Sequence, residues 1–184
     1  SEVRLVSPKI QLVRRQDGSL GGFLNVCRPR GARVAEGCGN AKAFTCPYHA
    51  WTYGADGKLR GRPDERSFAG FEKDKISLRP LPLVEKYGMI WVAPAPGPMF
   101  DIDPLLAGLE RDLAAYKLER YHHYETRILR RQLNWKMVID TFLETYHLQF
   151  LHTNTIHPIL HSNLATFDAF GRNLRMIAAR RTIE

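Results

Sequence analysis

A pair of short cysteine loops limits what this chain can fold into more than any other feature. Cys46-Pro47-Tyr48-His49-Ala50-Trp51 places a thiol and an imidazole on one tight, Pro-containing turn with a Trp behind it. Cys27-Arg28-Pro29-Arg30-Gly31 precedes it and carries a second thiol. A thiolate and an imidazole at that spacing suit a redox iron site. One loop has too few donors to hold an iron-sulfur centre, so the two loops have to meet. A centre with two Cys on one iron and two His on the other needs one of each from each loop. The first loop carries no imidazole, and its Pro29 has no side-chain donor.

Around these loops, residues 3 to 53 read as short strands. Leu5, Ile10, Leu12, Val13, Phe23, Leu24, Val26 and Phe44 are the apolar positions, and Asp17-Gly18 and Gly21-Gly22 are the punctuation. Gly37-Cys38-Gly39-Asn40 is expected to be a turn, and Gly54-Ala55-Asp56-Gly57 a hairpin turn after the strand Trp51-Thr52-Tyr53. Ser77 to Pro82 and Tyr87 to Ala93 alternate again. The run Pro94-Ala95-Pro96-Gly97-Pro98 then reads as a semi-rigid linker. Beyond it, Asp103-Pro104 starts a helix through Leu105, Leu106, Leu109, Leu113 and Tyr116, and His123 to Leu133 alternates as a strand.

The second informative stretch runs from Asn134, a predicted N-cap, to His152. On a helix, Trp135, Val138, Ile139, Phe142 and Tyr146 share an apolar stripe, while Asp140, Glu144 and His147 fall within about 60° of one another on another face. His152 lies five positions after His147, about 140° away on an ideal helix. The two imidazoles reach one ion only if the helix ends, kinks or bulges between them. His122, His123, His157 and His161 read as ordinary surface histidines.

Composition narrows the partners. No apolar run approaches the roughly 20 residues of a membrane helix, and three Cys fit a reducing compartment better than a disulfide framework. The net charge of +8 is spread from Arg4 to Arg181 without interleaved exposed aromatics, which argues against nucleic acid and for solvated faces or an acidic electron-transfer partner. The N-terminus has no initiating Met and no secretory pattern, and it reads as a cut edge.

The two motif regions occur in a telling order: Asn25-Val26-Cys27, Arg30-Gly31-Ala32-Arg33-Val34 and Cys46 to Trp51, then Asn134-Trp135-Lys136 and Glu144-x-x-His147-x-x-x-x-His152. Over essentially the whole chain this resembles the alpha subunits of the Rieske non-haem iron ring-hydroxylating oxygenases. The resemblance implies an α+β chain in two domains. A small all-β Rieske-type iron-sulfur domain would span residues 1–93 and a Pro-rich linker 94–102, and the first part of a helix-grip (START-like) catalytic domain would span 103–184. It implies a Rieske 2Fe-2S cluster on Cys27, Cys46 and His49, with Pro29 in the fourth ligand's place and Tyr48 and Trp51 screening it. It further implies a mononuclear Fe(II) on His147 and His152, and Glu144 as an electron bridge towards the cluster of a neighbouring subunit. The family's third iron ligand, an Asp, is expected beyond Glu184; Asp168 comes too early to match it.

The implied activity is hydroxylation of a small organic, aromatic substrate by dioxygen. A ferredoxin or flavin reductase would supply electrons to a trimer-based homo- or hetero-oligomer in the cytoplasm. Pro29 keeps a second reading open, an inactive homologue serving as a structural or partner-binding subunit. A Rieske ferredoxin fails on the second domain. Zinc on Cys27, Cys38, Cys46 and His49 fails on spacing.

Overall fold

A computed structural model describes residues 2–7 and 9–181. The chain divides into two compact units, Ser1–Ile102 and Asp103–Glu184. In the first, β1 (Glu2–Ser7), β2 (Ile10–Arg14), β3 (Leu20–Leu24) and β4 (Cys38–Asn40) form an antiparallel sheet in the order β3-β2-β1-β4. A second sheet joins β5 (Ala43–Thr45), β6 (Thr52–Gly54) and β7 (Leu59–Gly61), and β8 (Leu83–Lys86) pairs with β9 (Met89–Val92). Val13, Phe23, Phe44, Tyr53, Leu59 and Leu78 build the core, and both loop cysteines are part of it. The turn before β7 needs a glycine: Gly57 has φ +77°, and a Cβ there would meet the Phe23 ring at 2.3 Å.

Two expectations for this unit are corrected. Cys38-Gly39-Asn40 is a strand, β4, paired with β1 through Arg4↔Cys38 and Glu2↔Asn40, because the chain must cross back beside β1 to reach the second loop. Residues 77 to 82 are not a strand of a ladder. Pro80 makes a single bridge to Phe23, and Leu78 and Leu81 are buried while their N–H groups donate to Gly57 and Gly22. Pro80 and Pro82 have no N–H, so continuous pairing fails. Two single-turn 3-10 segments, Glu65–Phe68 and Lys73–Ile76, fill the stretch between β7 and this bridge.

The second unit contains α1 (Asp103–Leu106), α2 (Glu110–Tyr116), α3 (Trp135–Phe142), α4 (Leu148–Leu151) and a hairpin of β10 (Leu160–Phe170) and β11 (Asn173–Arg180). The single helix expected from Asp103 to Tyr116 is broken. Ala107 and Gly108 take φ of 52° and 111°, and the Gly108 N–H donates to the Glu110 carboxylate at 2.9 Å. The strand expected over His123 to Leu133 is absent among the described residues. An alternating pattern becomes a strand only beside a partner, and this segment has none; Tyr124, Ile128 and Leu129 stand in solvent. Arg175 ties α2 to the hairpin, donating to Asp112 at 2.6 Å and to Asp168 at 2.8 Å.

Candidate iron-binding sites

The two cysteine loops share one backbone plan. The Cys27 N–H donates to the Ala32 carbonyl at 2.8 Å, and the Gly31 N–H returns to the Cys27 carbonyl at 2.9 Å. In the other loop, the Cys46 N–H donates to Trp51 at 2.8 Å and the Ala50 N–H to Cys46 at 3.0 Å. The fifth residue of each loop takes positive φ, +75° at Gly31 and +56° at Ala50, where an L-residue is strained. Proline at position 29 leaves this plan intact.

Both cysteines are buried, Cys27 at 2% exposure and Cys46 at 1%. Burial pushes the Cys27 thiol up to about 11; the Tyr53 hydroxyl, 3.3 Å from its sulfur, pulls the other way, and the Cys46 thiol beside it adds to the rise. Tyr53 is a residue that sequence reasoning left out. Its hydroxyl also accepts from the Arg28 N–H at 3.3 Å, and burial, with Cys27 next, raises its own pKa. Asn25 holds the outer side of the first loop: its Oδ1 accepts from Val34 N–H (2.9 Å) and Ala35 N–H (3.0 Å), and its Nδ2 donates to the Ala35 carbonyl (2.8 Å). Asn25 is itself buried, and these bonds satisfy its carboxamide.

The remaining front residues separate into core and surface. Trp51 is buried edge-on against Phe68, with the Arg62 guanidinium 5.9 Å from its ring. His49 and Tyr48 are exposed, their rings 3.9 Å apart. Pro29 borders a cavity of about 240 Å³ with Trp51, Phe68, Phe71 and Ile76. Cys38 is exposed on β4. By residue type Cys27, Cys46 and His49 are donors of the kinds a two-iron two-sulfur centre takes, but the structure gathers no group of three such residues among the described ones, and Pro29 offers no donor. The set does not fit a complete centre.

In the rear unit the Asn134 carboxamide caps α3, accepting from the Lys136 N–H at 3.0 Å. The helix stops at Phe142, where the Leu143 N–H splits its bond between Ile139 and Asp140 at 3.1 Å each. The chain turns, and α4 begins with His147 as its N-cap and ends with His152 at φ −111°, ψ 33°. Leaving the helical path at both ends of α4 is what brings the two imidazoles together, with ring centroids 5.5 Å apart and planes at 66°. Glu144 hydrogen-bonds the His147 ring at Nδ1, and its other oxygen accepts the His147 N–H at 3.2 Å. Burial pulls the Glu144 carboxyl up, but these hydrogen bonds from His147 outweigh it and leave it below the ordinary carboxylate value. With Nδ1 occupied by Glu144, Nε2 of His147 is the nitrogen left for a metal. Thr155 Oγ1 stands 3.4 Å from Nδ1 of His152.

Two imidazoles fit two positions of a two-His, one-carboxylate iron face. Among the described residues no group of three or more His, Cys, Asp or Glu forms a metal cluster. The apolar stripe of α3 is real but uncovered: Trp135 is 69% exposed and Phe142 73%.

Paired cysteine loops in a small β unit, followed by an imidazole pair on a broken helix with its carboxylate neighbour, define the class of Rieske-type, non-haem iron oxygenase chains. Residues 1–82 match the Rieske [2Fe-2S] domain family and residues 118–183 the ring-hydroxylating alpha subunit catalytic domain. The chain belongs to the family of Rieske oxygenase alpha subunits, whose cofactors are a 2Fe-2S cluster and a mononuclear iron. The glycine betaine monooxygenase oxygenase subunit of Pseudomonas aeruginosa (strain UCBPP-PA14) is 33% identical over 152 residues, 82% of this chain and 35% of the relative. The carnitine monooxygenase oxygenase subunit of Escherichia coli (strain K12) is 34% identical over 149 residues, 78% of this chain and 39% of the relative. The crystal structure of the quaternary ammonium Rieske monooxygenase CntA with an inhibitor aligns at a TM-score of 0.84 and 24% identity, over 98% of this chain and 52% of that one. This chain thus spans between a third and two fifths of the length of these curated relatives.

Proposed function

We propose that this chain is the electron-receiving and iron-holding portion of an oxygenase that hydroxylates a small organic substrate with dioxygen. The observation that carries this reading is the imidazole pair at 5.5 Å with Glu144 fixing the His147 ring. His147 and His152 would hold a mononuclear ferrous iron, which when bound supplies a site for reductive activation of dioxygen. Glu144 keeps the His147 proton on Nδ1 and orients the ring, and on the resemblance it would relay charge towards a neighbouring subunit of a trimer-based assembly. Cys27, Cys46 and His49 are the cluster donors of the front unit, with Trp51 as a buried wall and Tyr48 against His49. Electrons would come from a ferredoxin or flavin reductase, in the cytoplasm. No helix of the described residues is long and apolar enough to cross a membrane.

We infer a quaternary ammonium substrate, on the names that the betaine and carnitine relatives carry, and keep the aromatic substrate implied by resemblance as the second reading. We infer in addition that Pro29 leaves the front site short of one donor, so the chain as written holds less than one full cluster. That favours an impaired member of the family, or a structural subunit. Anaerobic reconstitution with ferrous iron and sulfide tests both parts. Pro29→His is expected to gain visible absorption and iron over the unsubstituted chain, and His147→Ala to lose mononuclear iron with the front site unchanged. An iron content indifferent to His147→Ala removes the rear assignment, and a full cluster without Pro29→His removes the inference from Pro29.

A further inference from the structure

One cavity of the front unit stands apart from the iron donors. Its wall is Arg28, Pro29, Trp51, Phe68, Phe71 and Ile76, and neither loop cysteine nor His49 lines it. Pro29, which has no donor to offer, contributes an apolar ring here. Three aromatic side chains supply most of the remaining wall: Trp51 meets Phe68 edge-on with centroids 5.4 Å apart, and Phe68 meets Phe71 at 6.4 Å. Arg62 fixes these rings, donating through Nη2 to the Phe68 carbonyl at 2.8 Å and the Phe71 carbonyl at 3.1 Å, with its guanidinium 5.2 Å from the Phe68 ring. A wall set in advance leaves little to be ordered on binding.

The charge at this wall is positive. Arg28 is exposed, and among the described residues its guanidinium has no hydrogen-bond or ion-pair partner; its backbone N–H alone is engaged, by the Tyr53 hydroxyl. The Arg62 side chain is 4% exposed, and its Nε and Nη1 make no hydrogen bond, with Glu65 3.6 Å from Nε. Glu65 lies closer to Lys73, at 2.6 Å, and Glu72 pairs with Lys75 at 2.9 Å, so both carboxylates are already engaged by lysines. A cationic ligand is disfavoured, because the Arg62 guanidinium already lies against the Trp51 and Phe68 rings. An anion on a planar ring suits both features, the unpartnered guanidinium and the aromatic wall. At about 240 Å³ the cavity is smaller than the roughly 300 to 1,000 Å³ of sites for drug-sized ligands, which limits the ligand to about one ring. We propose that this cavity is a binding site for a small aromatic carboxylate, its ring among Trp51, Phe68 and Phe71 and its carboxylate paired with Arg28. The proposal goes beyond the iron reading and is separate from it: failure of that reading shows in the iron content and leaves this binding untouched.

The experiment is titration calorimetry of the whole chain with benzoate as the probe. Benzoate should bind at one site per chain. Benzamide, which keeps the ring and loses the charge, should bind about tenfold more weakly or less, and so should acetate, which keeps the charge and loses the ring. Arg28→Gln should weaken benzoate by about tenfold or more, the size of a lost charge-assisted hydrogen bond. Phe71→Ala should weaken it by roughly three- to tenfold, the worth of one aromatic contact. Arg60→Gln, a charge loss outside the cavity wall, should leave the affinity unchanged. Arg28 and Phe71 are both exposed, so the urea midpoints of their variants should match the parent, and the benzoate–benzamide comparison holds without any variant. No benzoate binding at millimolar concentration overturns the proposal, as does benzamide binding as tightly as benzoate. Binding that survives both Arg28→Gln and Phe71→Ala puts the ligand elsewhere, and an equal loss in Arg60→Gln reduces it to general charge attraction; either result overturns the proposal.

Discussion

The front and rear units carry ligand side chains on opposite kinds of support. Cys27 and Cys46 are themselves core residues, packed with Phe44, Trp51 and Tyr53, so the loops cannot shift without opening the core. His147 and His152 sit at the two ends of a four-residue helix, and α3 before it has no buried residue at all. What holds the rear pair is local: the Asn134 cap, the Glu144 bonds to His147, and Leu148 and Thr145 as the buried anchors. Ligand geometry in the front is a consequence of packing, and in the rear it is a consequence of hydrogen bonds. Truncations should separate the two. Trp51→Ala is expected to cost roughly 3–5 kcal/mol, the range for a buried large aromatic. Phe142→Ala, at 73% exposure, should stay within about 0.5 kcal/mol. Urea unfolding of each variant measures both. A comparable loss from Phe142→Ala would mean that the α3 stripe is covered in solution, and the contrast would vanish.

Charge separates the units along the pH axis. The folded front unit holds the Cys27 thiol at about 11 against an ordinary value of 9.0. The native state therefore keeps a proton that the unfolded chain has released, and stability is full below 9.0 and falls as pH rises through about 11. The loss is at most about 3 kcal/mol. Glu144 is lowered in the folded rear from 4.5, so its contribution is present above that value and is lost as pH falls through the folded value. Amide exchange across pH should show the Cys27 and Cys46 loops loosening in base and the Glu144–His147 turn loosening in acid. Loosening of both at the same end would show that one shared element governs them.

Legibility in the sequence follows the same division. The cysteine loops, the Asn134 cap and the need for a helix break before His152 were readable, because each depends on short-range spacing. Tyr53 was not, since its hydroxyl reaches Cys27 only through the pairing Phe44↔Tyr53, which sets β6 under the first loop. Arg62 was likewise hidden. Its stacking on Trp51 and Phe68, with bonds to the Phe68 and Phe71 carbonyls, depends on a 3-10 segment that has no strong sequence signature. The false strand over His123 to Leu133 has the converse cause: alternation reports a face, and only a partner makes it a strand. The break at Ala107-Gly108 lies where Ala favours helix and Gly does not, and the Glu110 carboxylate decides it.

The smallest effect expected is also the most discriminating for the rear unit. Asn134 has extended backbone, φ −74° and ψ 123°, and its side chain satisfies the Lys136 N–H, one of the donors a helix start leaves open. Asn134→Ala should cost about 1 kcal/mol, the usual size of a lost cap. Asn134→Asp keeps the acceptor and adds a negative charge at the positive end of the helix, so it should lose little or nothing. On a helix anchored by a buried face, the cap is one contribution among many and its loss is spread over the whole domain. On α3, eight residues long with none buried, the cap is a main source of order. Exchange protection at Lys136 and Met137 should therefore fall in Asn134→Ala and survive in Asn134→Asp. Equal protection in the two variants would show that α3 is held from outside, by packing on its apolar stripe, and that the rear imidazoles rest on the same kind of support as the front thiols.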